Sequence, residues 1–282
     1  MSLAVLSAAA VCGCFPELKA KERPQVVRLC VLPRYSPETM SRRYAPLARY
    51  LSQATGYDVR YVGTLNYETY VRTVEWSRVD IGLHNPLIQV ALAKSCGARP
   101  LLMALEPDGR PRYRGVIIVR TGAAIRGVGD LRGKRIAVGS KSSVGGYLSQ
   151  QALCREAGVD LDRDCSVVLV HDQERVVQQV ARGHADAGFL RESILVDAQT
   201  EPGVTEKLQV AAYTDYMPGW CVAAFRDPNT QTVEAIKQAL MALTLPRDRL
   251  LLDPMNASGF VEATDADFAP VRRLAAKLDI PL

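Results

Sequence analysis

Short β-rich runs alternate with helical segments along most of this chain, and the alternation restarts once part-way through. The first series begins with "VVRLCVLP" (Val26–Pro33), closed by proline, and continues into "SRRYAPLARYLSQATG" (Ser41–Gly56). That segment places Tyr44, Leu47, Ala48 and Leu51 on one helical face and stops at Gly56. A strand pattern at Tyr57–Gly63, a helix at Asn66–Arg78, a strand in "VDIGL" and a helix opened by Asn85-Pro86 follow, then "RPLLMAL" as a strand. This βαβαβαβ order predicts helices packed on a mostly parallel sheet. A long β run at Tyr113–Gly122 precedes the second series, which contains "KRIAVG", "CSVVLVH", "ADAGFL" and "KLQVAAYT" with helices between them. A matching run, Gly219–Arg226, leads into a helical tail.

Two α/β units linked by two crossing strands predict a two-lobed clamshell. Each lobe is a mixed or mostly parallel sheet flanked by helices, and the ligand cleft lies at the strand carboxyl ends. The expected division is 1–25 as leader and tether, 26–116 plus 218–282 as the first lobe, and 117–217 as the second.

The 282 residues are 48% hydrophobic and 23% charged, enough apolar material for two cores. A formal charge of +5, with no dense Lys/Arg block, argues against a nucleic-acid track. There is no G-x-S-x-G elbow, no P-loop and no metal-ligand spacing, so the reading is a non-catalytic protein without cofactor or metal. The start, "LAVLSAAAVCGC" (Leu3–Cys14), is too short to span a bilayer and resembles the core of a secretory signal. Its last residues resemble a bacterial lipobox, with Cys14 as the lipid acceptor and a polar tether after it. Export places the cysteines in an oxidising compartment. Cys154 and Cys165 are then candidates for a disulfide, while Cys30, Cys96 and Cys221 are expected to be buried thiols.

The segment "GSKSSVGGY" (Gly139–Tyr147) sits between an apolar strand and a helix. A strand, a small-residue turn and a helix start offer free backbone N–H groups to an anion.

Several blocks, in order, resemble one family: "RYAPLARYLSQATGYDVRYVGTLNYETYVRTVEWSRVDIGLHNPL", "GRPRYRGVIIVR", "DLRGKRIAVG" and "HADAG". Together they look like the periplasmic phosphate/phosphite/phosphonate-binding proteins of ABC transporters, over roughly residues 26–275. The resemblance implies a clamshell, expected to act as a monomer, that closes on a small oxyanion and delivers it to a permease. It also implies a cradle at Ser143, Val144, Gly145 and Gly146, where the family has Ser-Thr-Ser-Gly, with Ser142 as a compensating hydroxyl. Tyr67 and His171 match family positions that face the ligand. His84 replaces a cleft aromatic, beside Asn85, and Trp220 stands where aminophosphonate binders have an acid. A second family acid falls near Glu192-Ser193. Arg191 resembles a subset associated with sensor kinases, and Tyr35 completes the candidate set. The alternative reading is a periplasmic partner of a sensor histidine kinase, for an oxyacid such as arsenite held by Cys30 or Cys221. An enzyme on the same fold is the remote third.

Overall fold

The structure is a computed structural model that describes residues 25–170, 172–198, 203–225 and 230–282. The first sheet contains β1 (Val26–Val31), β2 (Asp58–Val62), β3 (Ile81–His84), β4 (Arg99–Leu105), β10 (Cys221–Ala224) and β11 (Gly259–Glu262), in the order β11-β4-β10-β3-β1-β2. The second contains β5 (Arg112–Arg120), β6 (Arg135–Val138), β7 (Ser166–Leu169), β8 (Ala187–Arg191) and β9 (Leu208–Pro218), in the order β7-β6-β8-β5-β9. β1 pairs in parallel with β2 and β3, and β10 runs antiparallel to both β3 and β4. The carboxyl ends of β1, β3 and β4 therefore share one edge. In the second sheet β6 is parallel to β7 and β8, and β5 is antiparallel to β8 and β9. The amino end of β5 thus lies beside the carboxyl end of β8.

The helix Pro37–Thr55 shows how the sequence builds these layers. Ser36 caps it, proline opens it, and Gly56 ends it in the left-handed conformation at φ 76°. Met40, Tyr44, Leu47 and Leu51 recur at helical spacing and are buried in one cluster with Val27, Leu29 and Val31 of β1. A second cluster joins Val116 and Ile118 of β5 to Val176, Val177 and Val180 of the helix Gln173–Ala181. A third runs through both lobes. It links Tyr70 and Ile88 to Ile117, Val119 and Phe189, and includes Phe268, Val271 and Leu274 at and within the helix Ala269–Lys277. That last helix also reaches the second lobe by charge, through Lys277 with Glu156 and Arg155 donating to the Lys277 carbonyl at 2.7 Å.

The lobe boundary needs correcting. β5 lies whole in the second sheet, with Val116, Ile117, Ile118 and Val119 fully buried between β8 and β9. A division at 116/117 would cut this strand, and Tyr113–Gly122 does not itself cross between lobes. The crossings are instead the turn Glu106–Pro111 and the pair Gly219-Trp220. Gly219 N donates to the Pro111 carbonyl at 3.0 Å, and Ala104 N donates to the Trp220 carbonyl at 2.8 Å, so the two crossings brace each other. Gly219 is needed there because a Cβ would lie 2.3 Å from the Ala104 carbonyl oxygen.

A second correction concerns Cys154 and Cys165, which are free thiols. Cys165 Sγ donates to the Leu131 carbonyl at 3.2 Å, and Cys154 is buried among apolar side chains of the long cluster. Among the described residues no helix is long and apolar enough to cross a membrane. The leader with Cys14 lies outside the described residues.

Candidate functional site

The carboxyl end of β4 meets that of β8 through the side chains of Glu106 and Arg191. β6 delivers its chain to the turn 140–143, after which Val144–Leu148 forms one wide helical turn that continues as the helix Ser149–Glu156. Leu148 N donates to the Ser143 carbonyl at 2.9 Å, an i to i−5 bond. Ser143 is the cap, and its Oγ accepts from Gly146 N at 3.1 Å. Ser140 and Ser142 share a hydroxyl–hydroxyl bond of 2.9 Å. The cradle's hydroxyls are therefore engaged within the turn. The N–H groups of Val144 and Gly145, in the first turn, precede any carbonyl that could receive them within the helix. They lie at its positive end.

Gly145 is glycine for a steric reason. A Cβ there would lie 2.5 Å from Cε2 of Tyr113 and 2.8 Å from Cγ of Arg191. The Tyr113 ring and the aliphatic stem of Arg191 fill the space beside Gly145. Arg191 extends from the end of β8, stacks 3.9 Å above the Tyr113 ring and pairs with Glu106 from the end of β4. Its backbone N–H donates to Gln173 Oε1 at 2.7 Å.

This ion pair ties the end of β8 to the first crossing and is largely closed to water, the side chains being 15% and 9% exposed. Burial pushes the Glu106 carboxyl above its ordinary range, against the downward pull of Arg191. One oxygen of the pair, Glu106 Oε2, and one nitrogen, Arg191 Nε, are buried without a hydrogen-bond partner, as is Ser193 Oγ. Glu106, Tyr113, Arg114, Glu192 and Ser193 line an adjoining cavity of about 320 Å³. Glu192 is held there by Arg114 in a two-pronged bond of 2.8 and 2.6 Å, so the acid expected near this position is already paired.

The other candidates divide sharply. Trp220 is half-buried at the second crossing, with the Arg34 guanidinium 4.6 Å over its ring. Arg34 makes no ion pair among the described residues and was not among the sequence candidates, although its place just after β1 is a strand-end signal. Tyr35 and Tyr67 are exposed, Tyr35 lying under Arg43 and Tyr67 opening the helix Tyr67–Glu75. The Asn85 side chain accepts from Ile88 N at 3.0 Å as a helix cap. His171 lies outside the described residues.

His84 and the thiols are corrections. His84 is wholly buried, with Nδ1 2.7 Å from the Tyr70 hydroxyl and Nε2 2.9 Å from Gln89 Oε1. Gln89 Nε2 donates to the Ala98 carbonyl, so Oε1 is the amide's acceptor and the imidazole carries its proton on Nε2. Both ring nitrogens are engaged in the core, which leaves neither for a ligand. Burial lowers the His84 pKa to about 4. Cys30 and Cys221 have no exposed surface, and burial raises the Cys30 thiol to about 12 and the Cys221 thiol well above its usual value. Cys221 Sγ lies 3.4 Å from Gln89 Oε1. Protonated, enclosed thiols are poor ligands for a thiophilic solute. Among the described residues, no group of three or more His, Cys, Asp or Glu side chains is placed to hold a metal ion.

Residues 29–268 match the family described as the periplasmic substrate-binding protein of phosphonate ABC transporters. The chain belongs to that family. Its curated relatives include the probable ABC transporter phosphite-binding protein PhnD1 of Prochlorococcus marinus, 20% identical over 271 residues and covering 91% of each chain. The structure of that relative in complex with methylphosphonate superposes with a TM-score of 0.73 at 19% identity, over 92% of this chain and all of the other. A binding-protein component of a phosphonate transporter from Pseudomonas aeruginosa gives 0.70 at 16% identity, over 91% and 88%. Within this family the chain keeps the two-lobed fold, and its turn after β6 carries Ser143, Val144, Gly145 and Gly146.

Proposed function

We propose that this protein captures a small phosphorus oxyanion, of the phosphonate or phosphite kind, between its lobes and presents it to an ABC permease. The observation that carries this reading is the wide helical turn opened by Ser143, whose first-turn glycine, Gly145, has the Arg191 side chain packed against it. An arginine already paired with Glu106 stands beside the turn where the family pattern supplies hydroxyls. A hydrogen bond to a charged group contributes about 1.5–3 kcal/mol, the weight of one of the two hydroxyl contacts missing here. The Arg34–Trp220 edge of the first lobe supplies the opposing wall, and closure bends the two crossings. The protein acts as a monomer in the extracytoplasmic space, held there by a lipid on Cys14. Cys14→Ser should release it from the membrane fraction into the soluble one, and retention in the membrane would remove the anchor.

A thermal-shift series with methylphosphonate, phosphite, phosphate, sulfate and arsenite tests the ligand class. A ligand at one hundred times its Kd adds about 2.7 kcal/mol of stability. For a chain of this size that corresponds to a rise of roughly 5 °C or more. Methylphosphonate or phosphite should produce it, and arsenite should not, because both candidate thiols are enclosed. Flat responses to all three phosphorus compounds would end this reading. A sensor kinase reading the same closure is the second possibility raised by the sequence, and nothing among the described residues favours it.

A further inference from the structure

Gln173 reaches the carboxyl ends of three parallel strands of the second lobe. It opens the helix Gln173–Ala181, which follows β7. A Cβ on Gly139, just after β6, would lie 3.2 Å from Gln173 Cγ, so the side chain runs across that strand end. At the end of β8 the Arg191 N–H donates to Gln173 Oε1 at 2.7 Å. The amide thereby comes to rest against Gly146 of the wide turn. We propose that Gln173 is a ligand-contacting residue of the cleft, whose amide nitrogen donates to unprotonated oxygens of the bound oxyanion. This rests on the oxyanion reading above.

Three observations carry it. First, the amide has a fixed direction. Oε1 accepts from the Arg191 N–H, so the other end is Nε2, which carries two N–H donors and cannot accept. Second, those donors are spare. Among the described residues Nε2 has no hydrogen-bond partner, and it is not one of the buried polar atoms that lack one, so it is open to a solute. Third, they stand at the turn. A Cβ on Gly146 would lie 3.0 Å from Gln173 Cδ, 3.1 Å from its Nε2 and 3.0 Å from Ser143 Oγ, so the amide and the capping serine border one small space. The other groups there are committed. Ser143 Oγ accepts from Gly146 N, Ser140 and Ser142 bond each other, and Arg191 is paired with Glu106. Gln173 supplies the two donors that these side chains do not have to spare.

The contact also orients the ligand. An ammonium or other donor placed against Nε2 would meet N–H groups and leave them unpaired, so the bare oxygens turn toward Gln173 and the organic substituent turns away. The acid next in the chain does not oppose this. Asp172 caps the helix by accepting from Arg175 N at 2.6 Å and is paired with the Arg175 guanidinium at 3.0 Å.

Isothermal titration of the full chain with methylphosphonate, comparing wild type with Gln173→Glu and Gln173→Met, tests the proposal. Glutamate keeps an oxygen to accept from the Arg191 N–H but replaces the donors with a negatively charged acceptor. Methionine keeps the length of the side chain and offers neither. Wild type should bind most tightly, with Gln173→Met weaker by about ten- to a hundredfold, the weight of a hydrogen bond to a charged group. Gln173→Glu should be weaker still, by roughly another tenfold, because it sets like charges together. Its unfolding midpoint without ligand should stay close to that of wild type. A residue that only holds the Arg191 backbone would give the reverse order, with Gln173→Glu near wild type and Gln173→Met weakest. That order, or an unchanged affinity in Gln173→Met, would overturn the contact and leave the oxyanion reading intact. The methionine comparison stands even if the glutamate variant folds poorly. No binding of methylphosphonate by wild type would overturn both.

Discussion

Arg191→Ala is expected to destabilise the protein by about 3 kcal/mol, because it leaves the Glu106 carboxylate buried without its partner. The effect is large because the pair is nearly closed to water, with the guanidinium stacked on the Tyr113 ring. In a chain of this length the midpoint of thermal unfolding should fall by roughly 5–10 °C. The pH dependence has a definite sign. Glu106 is already raised by burial, and removing Arg191 takes away the two largest interactions that lower it, leaving only Arg110. Its folded value then stands further above the unfolded one. The native state binds the extra proton first, so the deficit shrinks as pH falls through the raised value and is fully present above it. Adding Glu106→Gln to Arg191→Ala should recover a large part of the loss, since a neutral amide takes the place of a stranded charge. A double-mutant cycle read by thermal unfolding measures the coupling. A deficit below about 1 kcal/mol, of the size seen for exposed pairs, would show that the two side chains do not act as a buried pair. The same variant should lose affinity for methylphosphonate by about one to two orders of magnitude, the weight of one charge-assisted hydrogen bond.

That pair also marks the boundary of what the sequence makes legible. The alternation of short β runs with periodic helices is a local property, and it places nearly every strand and helix of both sheets. The strand–turn–helix around "GSKSSVGGY" is legible for the same reason: a strand, small residues and a helix start are contiguous there. The lobe boundary is harder. Continuous burial makes β5 look the same whether it crosses between lobes or lies in the middle of one sheet, and only its pairing with β8 and β9 decides. β11 is four residues at an edge, with two of them exposed, and its sequence carries too few apolar positions to stand out within the tail. Glu106, in "ALEPDGR", reads as the start of a surface turn, because the residue that buries it is 85 positions away. The glycine at 145 is similar. Sequence shows a missing side chain, while the structure shows the Tyr113 ring and the Arg191 stem filling the same space.

His84 was open to a different misreading, and it yields the second large effect. A histidine at a strand end near a cleft suggests a ligand contact, but a signal against this was present: Gln89 is the one polar residue in the run "PLIQVALA" and marks a buried partner. The imidazole is held neutral down to about pH 4, whereas in the unfolded chain it takes a proton near its ordinary value of 6.5. Between these values the unfolded state binds more protons, so stability falls as pH falls through the window. The shift corresponds to about 3 kcal/mol, all of it present above the upper value and lost below the lower one. Glu106 works in the opposite direction, since its raised carboxyl adds stability on acidification, so the curve for wild type alone blends the two. Comparison with His84→Gln separates them, because glutamine offers a donor and an acceptor and does not titrate. The variant should be less stable than wild type near neutral pH, and the gap should close by about 3 kcal/mol as pH falls through the histidine window. Denaturant unfolding at several pH values measures this directly. Parallel curves for the two proteins would show that the ring is already protonated in the fold or reaches solvent, and would reopen His84 as a residue available to the ligand.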